Sequence, residues 1–220
     1  MRYVVANWKM NMTMQKVNAW LNEFEKLIRN TPEVTIIIAA SFVHLPIVKF
    51  FADKYPNIFV AAQDVSLKEM GAHTGEIGVQ QLKDLCDYCI IGHSELEEDT
   101  STKRTKAQLC IDQGITPILC SKNPEIEWKD INKNYLLAWE DPTNISKNGV
   151  YNEKPQDLIE IKIKELVEQE GYPNVIYGGS VNEENSLKLA TIDNLAGVLP
   201  GNASLDPKTF WKIVENFENN

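Results

Sequence analysis

The sequence predicts an α/β chain folded as a single closed (β/α)8 barrel, in which eight parallel strands are ringed by helices. Three observations lead there. Eight short apolar runs recur along the 220 residues. The stretches between them alternate with the runs and are read as about seven or eight helices. No linker or break in composition divides the chain, so residues 1–220 are read as one domain, and a closed barrel is favoured over a doubly wound open sheet.

Taken in order, Tyr3 to Trp8 is a first strand, valine-containing and ending in polar Asn7 and Lys9. Val17, Trp20, Leu21, Phe24, Leu27 and Ile28 recur at spacings of three and four, a helix that stops at Asn30, Thr31 and Pro32. Val34 to Ala40 is a second strand, Leu45 to Tyr55 a second helix and Ile58 to Ala62 a third strand. Gln63 to Gly78 carries three glycines and no long apolar period, the mark of a long loop that binds something. Tyr88 to Gly92 is the fourth strand, Thr102 to Gly114 a helix ending on glycine, and Ile115 to Cys120 the fifth strand. The connection from Ser121 to Asn134 is short and mixed, so any helix there is a stub. Tyr135 to Trp139 is the sixth strand and Asp141 to Gly149 a polar loop. Pro155 to Gly171 opens on proline and closes on glycine, as a helix should. Val175 to Tyr177 and Leu195 to Leu199 are strands seven and eight, and Pro207 to Phe217 closes the chain as a helix.

Composition narrows the function. With 43% hydrophobic and 24% charged residues the chain reads as globular, and its net charge of −9 argues against a nucleic-acid or membrane-surface partner, both of which would repel it. No apolar run approaches the roughly 20 residues of a membrane span, and MRYVVANWKM turns polar too soon for a signal peptide, so the expected compartment is the cytoplasm. Cys86, Cys89, Cys110 and Cys120 are read as buried free thiols rather than as a zinc or redox site.

In a parallel barrel every strand ends at the same rim, where residues distant in sequence converge. Asn7 and Lys9 end the first strand, His93 and Glu95 the fourth, and Glu140 the sixth. Gly178, Gly179 and Ser180 end the seventh; Gly201 and Asn202 end the eighth. The glycine clusters let backbone N–H groups approach an anion, so a phosphate is expected on that side. The acids after His93 suit the start of a helix, whose positive end would keep the imidazole neutral. Taken singly, each has a plain reading: a packing histidine, solvated charges, a tight turn. Their convergence at one rim overrides those readings.

Several segments, in order, resemble one family. ANWKMN (6–11), AAQDVSLKEMGAHTGEIG (61–78), IIGHSE (90–95), TPILC (116–120), WE (139–140), VIYGGSVNEEN (175–185) and GNASLDPKTFWKIV (201–214) are similar to triosephosphate isomerases from end to end. The resemblance implies a TIM barrel with a shortened connection after strand 5. It also implies interconversion of dihydroxyacetone phosphate and glyceraldehyde 3-phosphate in glycolysis and gluconeogenesis. Glu140 would be the base and Lys9, held by Asn7 and Glu95, the cation. His93 would be a neutral electrophile, a role for which this family is itself the standard illustration. Ser146, Ser180, Gly178, Gly179, Gly201 and Asn202 would hold the phosphate under a lid at 141–149, with no metal or organic cofactor. The loop at 71–76, with Gly71, Thr74 and Glu76, would join two subunits, Thr74 reaching the partner's site; such a homodimer could pair further into a tetramer.

Four departures stand out. Where the family follows its base with proline, an apolar-aromatic pair and a Gly-Thr-Gly tip, this chain has Asp141, Pro142, Thr143, Asn144, Ile145, Ser146, Lys147, Asn148, Gly149. Leu96 and Glu97 replace two arginines, Ser121, Lys122 and Asn123 replace a glutamate-bearing turn, and Asn202 replaces a glycine. These changes leave two other readings: a phosphate-ligand-binding paralogue with little or no turnover, or an isomerase of a related phosphosugar.

Overall fold

The computed structural model of the chain describes residues 2–124, 128, 131, 134–141, 144 and 153–220. Eight strands form the sheet: β1 (Arg2–Asn7), β2 (Val34–Ala40), β3 (Ile58–Ala62), β4 (Tyr88–Ile91), β5 (Thr116–Ser121), β6 (Leu136–Trp139), β7 (Val175–Tyr177) and β8 (Leu195–Val198). They pair in parallel and in chain order, and the barrel closes where β8 meets β1. Around it, among the described residues, lie α1 (Met14–Leu27), α2 (Leu45–Ala52), α3 (Val79–Leu82), α4 (Thr100–Asp112), α5 (Gln156–Lys164), α6 (Glu183–Leu189) and α7 (Pro207–Glu218).

Strand alternation sorts the apolar residues into two layers. Val5, Ile37, Ala39, Ala61, Ile90, Ile118, Ala138 and Ile176 point inward and fill the barrel. Val4, Ala6, Ile36, Ile38, Val60 and Leu137 point outward and pack under the helices with Trp20, Phe24, Phe51 and Phe210. Burying each such aromatic or branched side chain contributes about 1.5–3 kcal/mol. The same alternation places the site: Asn7 lies two residues beyond Val5, Gln63 beyond Ala61, Glu140 beyond Ala138 and Gly178 beyond Ile176, so all four continue inward-facing columns at the strands' C-terminal ends.

Local chemistry sets the helix boundaries. Thr13 caps α1 by accepting the Lys16 N–H, so the helix starts at Met14, ahead of its first apolar contact. Asp99 caps α4 through the Thr102 N–H, and Gly114, with φ +79°, ends the turn that follows. The second helix stops at Ala52, short of the expected Tyr55, and a 3-10 turn over Phe42–His44 precedes it. Strand β5 begins one residue later than expected because the Ile115 N–H is used by the Cys110 carbonyl at the end of α4. The apolar pattern left α3 and α6 unassigned, since each buries only two residues. The expected helix at 155–171 is α5 continued by a π-helical turn over Glu165–Gln169.

Two packing details matter at the seam and the rim. A Cβ on Gly197 of β8 would sit 1.8 Å from the Tyr3 carbonyl oxygen, so the β8–β1 closure admits no side chain there. Gly92 has φ +71° and turns the chain from β4 over the rim, presenting His93. All four cysteines are free and buried, and burial pushes the Cys86 thiol up to about 12.

Candidate active site

Lys9, the first residue past β1 and Trp8, adopts φ +49°, a left-handed conformation unusual for a residue with a side chain. Hydrogen bonds hold it on both sides. Its N–H donates to Asn7 Oδ1 at 3.1 Å, and its carbonyl accepts from Ser41 Oγ at 3.3 Å and Gln63 Nε2 at 3.2 Å. Gln63 Nε2 also donates to the Ala39 carbonyl, 3.0 Å away, tying Lys9 to β2. The ammonium that results from this bend meets Glu95 Oε1 at 2.7 Å. Gly201 lies against it: a Cβ there would be 3.3 Å from Lys9 Cε.

His93 is buried, and its protonation state follows from its contacts. The Glu95 backbone N–H donates to Nδ1 at 3.2 Å, so Nδ1 is an acceptor and the ring proton belongs on Nε2. Glu95 Oε2 lies 3.7 Å from Nδ1, but two acceptors form no hydrogen bond, so that approach is proximity alone. Burial is the leading cause that lowers the ring's pKa; the Lys9 ammonium lowers it further, while Glu140 and Glu95 oppose. A helix end is not what keeps the ring neutral, contrary to the expectation from the sequence. The helix α4 starts at Thr100, not at the acids beside His93, so desolvation and the Glu95 amide are what keep the ring uncharged.

Glu140 caps the inward column of β6 and is 2% exposed. Its Oε2 accepts the Ser94 N–H at 3.0 Å, and Oε1 lies 3.4 Å from His93 Nε2. The carboxylate and the Nε2 side of the ring are thus close neighbours, a little beyond an ordinary hydrogen-bond distance. Gly178 makes room for it: a Cβ there would be 3.0 Å from Glu140 Cγ. The Gly178 N–H donates to the Trp139 carbonyl, so this glycine supplies space rather than the phosphate donor expected of it.

On the side expected to hold an anion, the Ser180 N–H and Oγ both donate to the Asn144 carbonyl, at 3.0 and 2.8 Å. Those two donors therefore reach a ligand only after Asn144 gives way. Gly179 is required by packing, because a Cβ would fall 2.0 Å from Tyr177 Oη. The Gly201 carbonyl accepts from Ser204, and Gly201 leads into a 3-10 turn at Asn202–Ser204. Ser146 lies outside the described residues, as does the expected lid apart from Asp141 and Asn144. Gly71, Thr74 and Glu76 lie on an exposed loop. The Lys106 ammonium ties the root of that loop down, 2.6 Å from Asp64 Oδ1 and 2.5 Å from Glu98 Oε1.

The structure thus brings Asn7, Lys9, His93, Glu95 and Glu140 together at one rim. Sequence reasoning missed Ser41, Gln63 and Ser94. Gln63 was legible, since it continues the inward column of β3; the Ser94 backbone amide and the Ser41 hydroxyl left no signal in residue type.

A buried carboxylate facing a neutral imidazole N–H, with an ammonium alongside, places the chain in the acid–base class of barrel proteins. The family model described as Triosephosphate isomerase matches residues 2–217. Named relatives agree over almost their whole length. The triosephosphate isomerase of Wolbachia sp. subsp. Brugia malayi is 36% identical over 98% of this chain and 97% of its own. Those of Thermodesulfovibrio yellowstonii and Aquifex aeolicus are 33% and 32% identical, over 97% and 98% of this chain and 98% and 99% of theirs. The chain belongs to the triosephosphate isomerase family.

Proposed function

We propose that the chain interconverts dihydroxyacetone phosphate and glyceraldehyde 3-phosphate. Glu140 takes a proton from the carbon beside the carbonyl, leaving an enediolate, and returns it to the neighbouring carbon. His93 Nε2–H donates to the oxygens on which charge develops, and the Lys9 ammonium stabilises the same charge. The observation that carries this reading is the pairing of the Glu95 N–H on Nδ1 with Glu140 beside Nε2. It supports a neutral donor ring next to a buried base. Glu140 Oε2 already accepts the Ser94 N–H, and leaving that amide frees it to turn toward a substrate carbon.

The phosphate is held by the backbone at Gly179, Gly201 and Asn202, with Ser180 joining once Asn144 is displaced and with Ser146 contributing as well. No cofactor takes part. The protein works in the cytoplasm as a homodimer, its exposed 71–76 loop placing Thr74 at the partner's site. Among the described residues no helix is long and apolar enough to cross a membrane.

Purified protein supplied with glyceraldehyde 3-phosphate and a reductase specific for dihydroxyacetone phosphate tests the reading. Turnover that is lost in Glu140→Gln and in Lys9→Ala, with melting temperatures near wild type, is expected. Absent wild-type turnover refutes it. Elution as a monomer at micromolar concentration refutes the dimer.

A further inference from the structure

Residues 141 and 154, either end of the segment between β6 and α5, are joined by a charge pair. Asp141 directly follows Glu140, and its Oδ2 lies 2.6 Å from the Nζ of Lys154, which directly precedes the Pro155 cap of α5. Neither partner is a surface charge: their side chains are 14% and 18% exposed. The same ammonium lies 5.9 Å from the centroid of the Trp139 ring. One cation therefore contacts both sequence neighbours of Glu140. Trp139 packs in the layer outside the barrel, and the residue between the two contacts turns the opposite way, into the site.

This matters because the backbone on either side of Glu140 sets the direction of its Cα–Cβ bond. A proline after the base would lock its own φ near −65° and stiffen that joint. Asp141 has no such lock. A partly buried, short ion pair restrains the joint instead, and it is screened far less than an exposed one. Restraint of this kind is worth much in catalysis, since a reacting group misplaced by about 1 Å loses about a hundredfold in rate.

We propose that Asp141 and Lys154 form a charged brace that positions Glu140, with Lys154 a positioning residue for the proton-transfer step. The inference rests on the isomerase reading and deepens it. It is tested by turnover kinetics and melting of the full chain carrying Lys154→Gln, Asp141→Asn, both together, Lys154→Arg, and the reversed pair Asp141→Lys with Lys154→Asp. Each neutral single variant is expected to lose about tenfold or more in kcat with KM within about twofold. The double variant is expected to be no worse than the poorer single, because the two act as one unit. Lys154→Arg keeps most of the rate, and the reversed pair recovers kcat relative to the neutral variants. Unchanged kcat in the neutral variants, losses that multiply in the double, or a rise in KM alone would overturn the brace. Should a neutral variant fail to fold, Lys154→Arg and the reversed pair decide, and a reversed pair that folds but recovers nothing counts against it. A wild-type chain without turnover sinks the isomerase reading and the brace together; an active wild type with indifferent variants sinks the brace alone.

Discussion

Gly178→Ala isolates what the space beside Glu140 is worth. The added Cβ would stand 3.0 Å from Glu140 Cγ and 3.5 Å from the Trp139 carbonyl oxygen. Carbon atoms rest about 3.5–4.0 Å apart, so the Glu140 side chain must retreat by about 0.5–1 Å while the strand stays in place. Misplacing a reacting group by about 1 Å costs about a hundredfold, so kcat should fall about ten- to a hundredfold, or about 1.4–2.7 kcal/mol of transition-state stabilisation. The coupled isomerase assay reads kcat and KM, and a thermal melt reads stability. Gly179→Ala is the control. Its Cβ would strike Tyr177 Oη at 2.0 Å, so that variant should lose stability first. A Gly178→Ala protein that melts normally and keeps kcat within twofold would refute the claim that this glycine exists to admit the base.

Two further outcomes follow from groups already described. Burial lowers the His93 pKa, so below the ordinary histidine range near pH 6.5 the unfolded chain binds a proton that the folded chain refuses. Stability from this ring is present above about pH 6.5 and is lost as pH falls through the lowered folded value. His93→Gln should flatten that part of the melting-temperature curve, and kcat of the wild type, which reports the bound complex and not the free phosphate ester's own ionisation near about pH 6, should show no inflection at about pH 6.5; an inflection there would mean the ring titrates normally. Gly197→Ala places a Cβ 1.8 Å from the Tyr3 carbonyl oxygen, so it should open the β8–β1 seam and yield unfolded or insoluble protein; a normal melt would show that the seam can shift.

The barrel was legible because its signals are periodic and redundant. Each strand is a short apolar run whose residues alternate between the interior and the helix layer, and β2, β3 and β7 matched their expected bounds. Pieces fixed by single polar contacts were not legible. The caps at Thr13 and Asp99 moved two helix starts, and α4 buries only Lys106, Ala107 and Cys110, too sparse a stripe to mark its first turn. The site split in the same way. Side chains that act through their own chemistry, Lys9, His93 and Glu140, could be read from residue type and strand end. What holds them could not be read, because the Ser94 and Glu95 amides, the Ser41 hydroxyl and the vacancy at Gly178 are backbone or steric facts that exist only after folding.

Lys9 shows how the fold sustains a conformation that stability alone would reject. A left-handed residue with a side chain costs about 1–2 kcal/mol. Three hydrogen bonds to its peptide groups, from or to Asn7, Ser41 and Gln63, offset that cost, each net about 0.5–1.5 kcal/mol. Replacing Lys9 by alanine or by glycine removes the ammonium equally, so both should abolish turnover. They differ in backbone. At an ordinary position alanine is the more stable by about 0.4–1 kcal/mol, because glycine loses more entropy on folding. Where φ is positive the order reverses, since only glycine adopts it without strain. Lys9→Gly should therefore melt above Lys9→Ala, by roughly 2–4 °C per kcal/mol for a chain of this size. Alanine melting higher would mean the bend at Lys9 relaxes once the side chain is gone, and that the ammonium's grip on Glu95, rather than the surrounding hydrogen bonds, is what holds the left-handed turn.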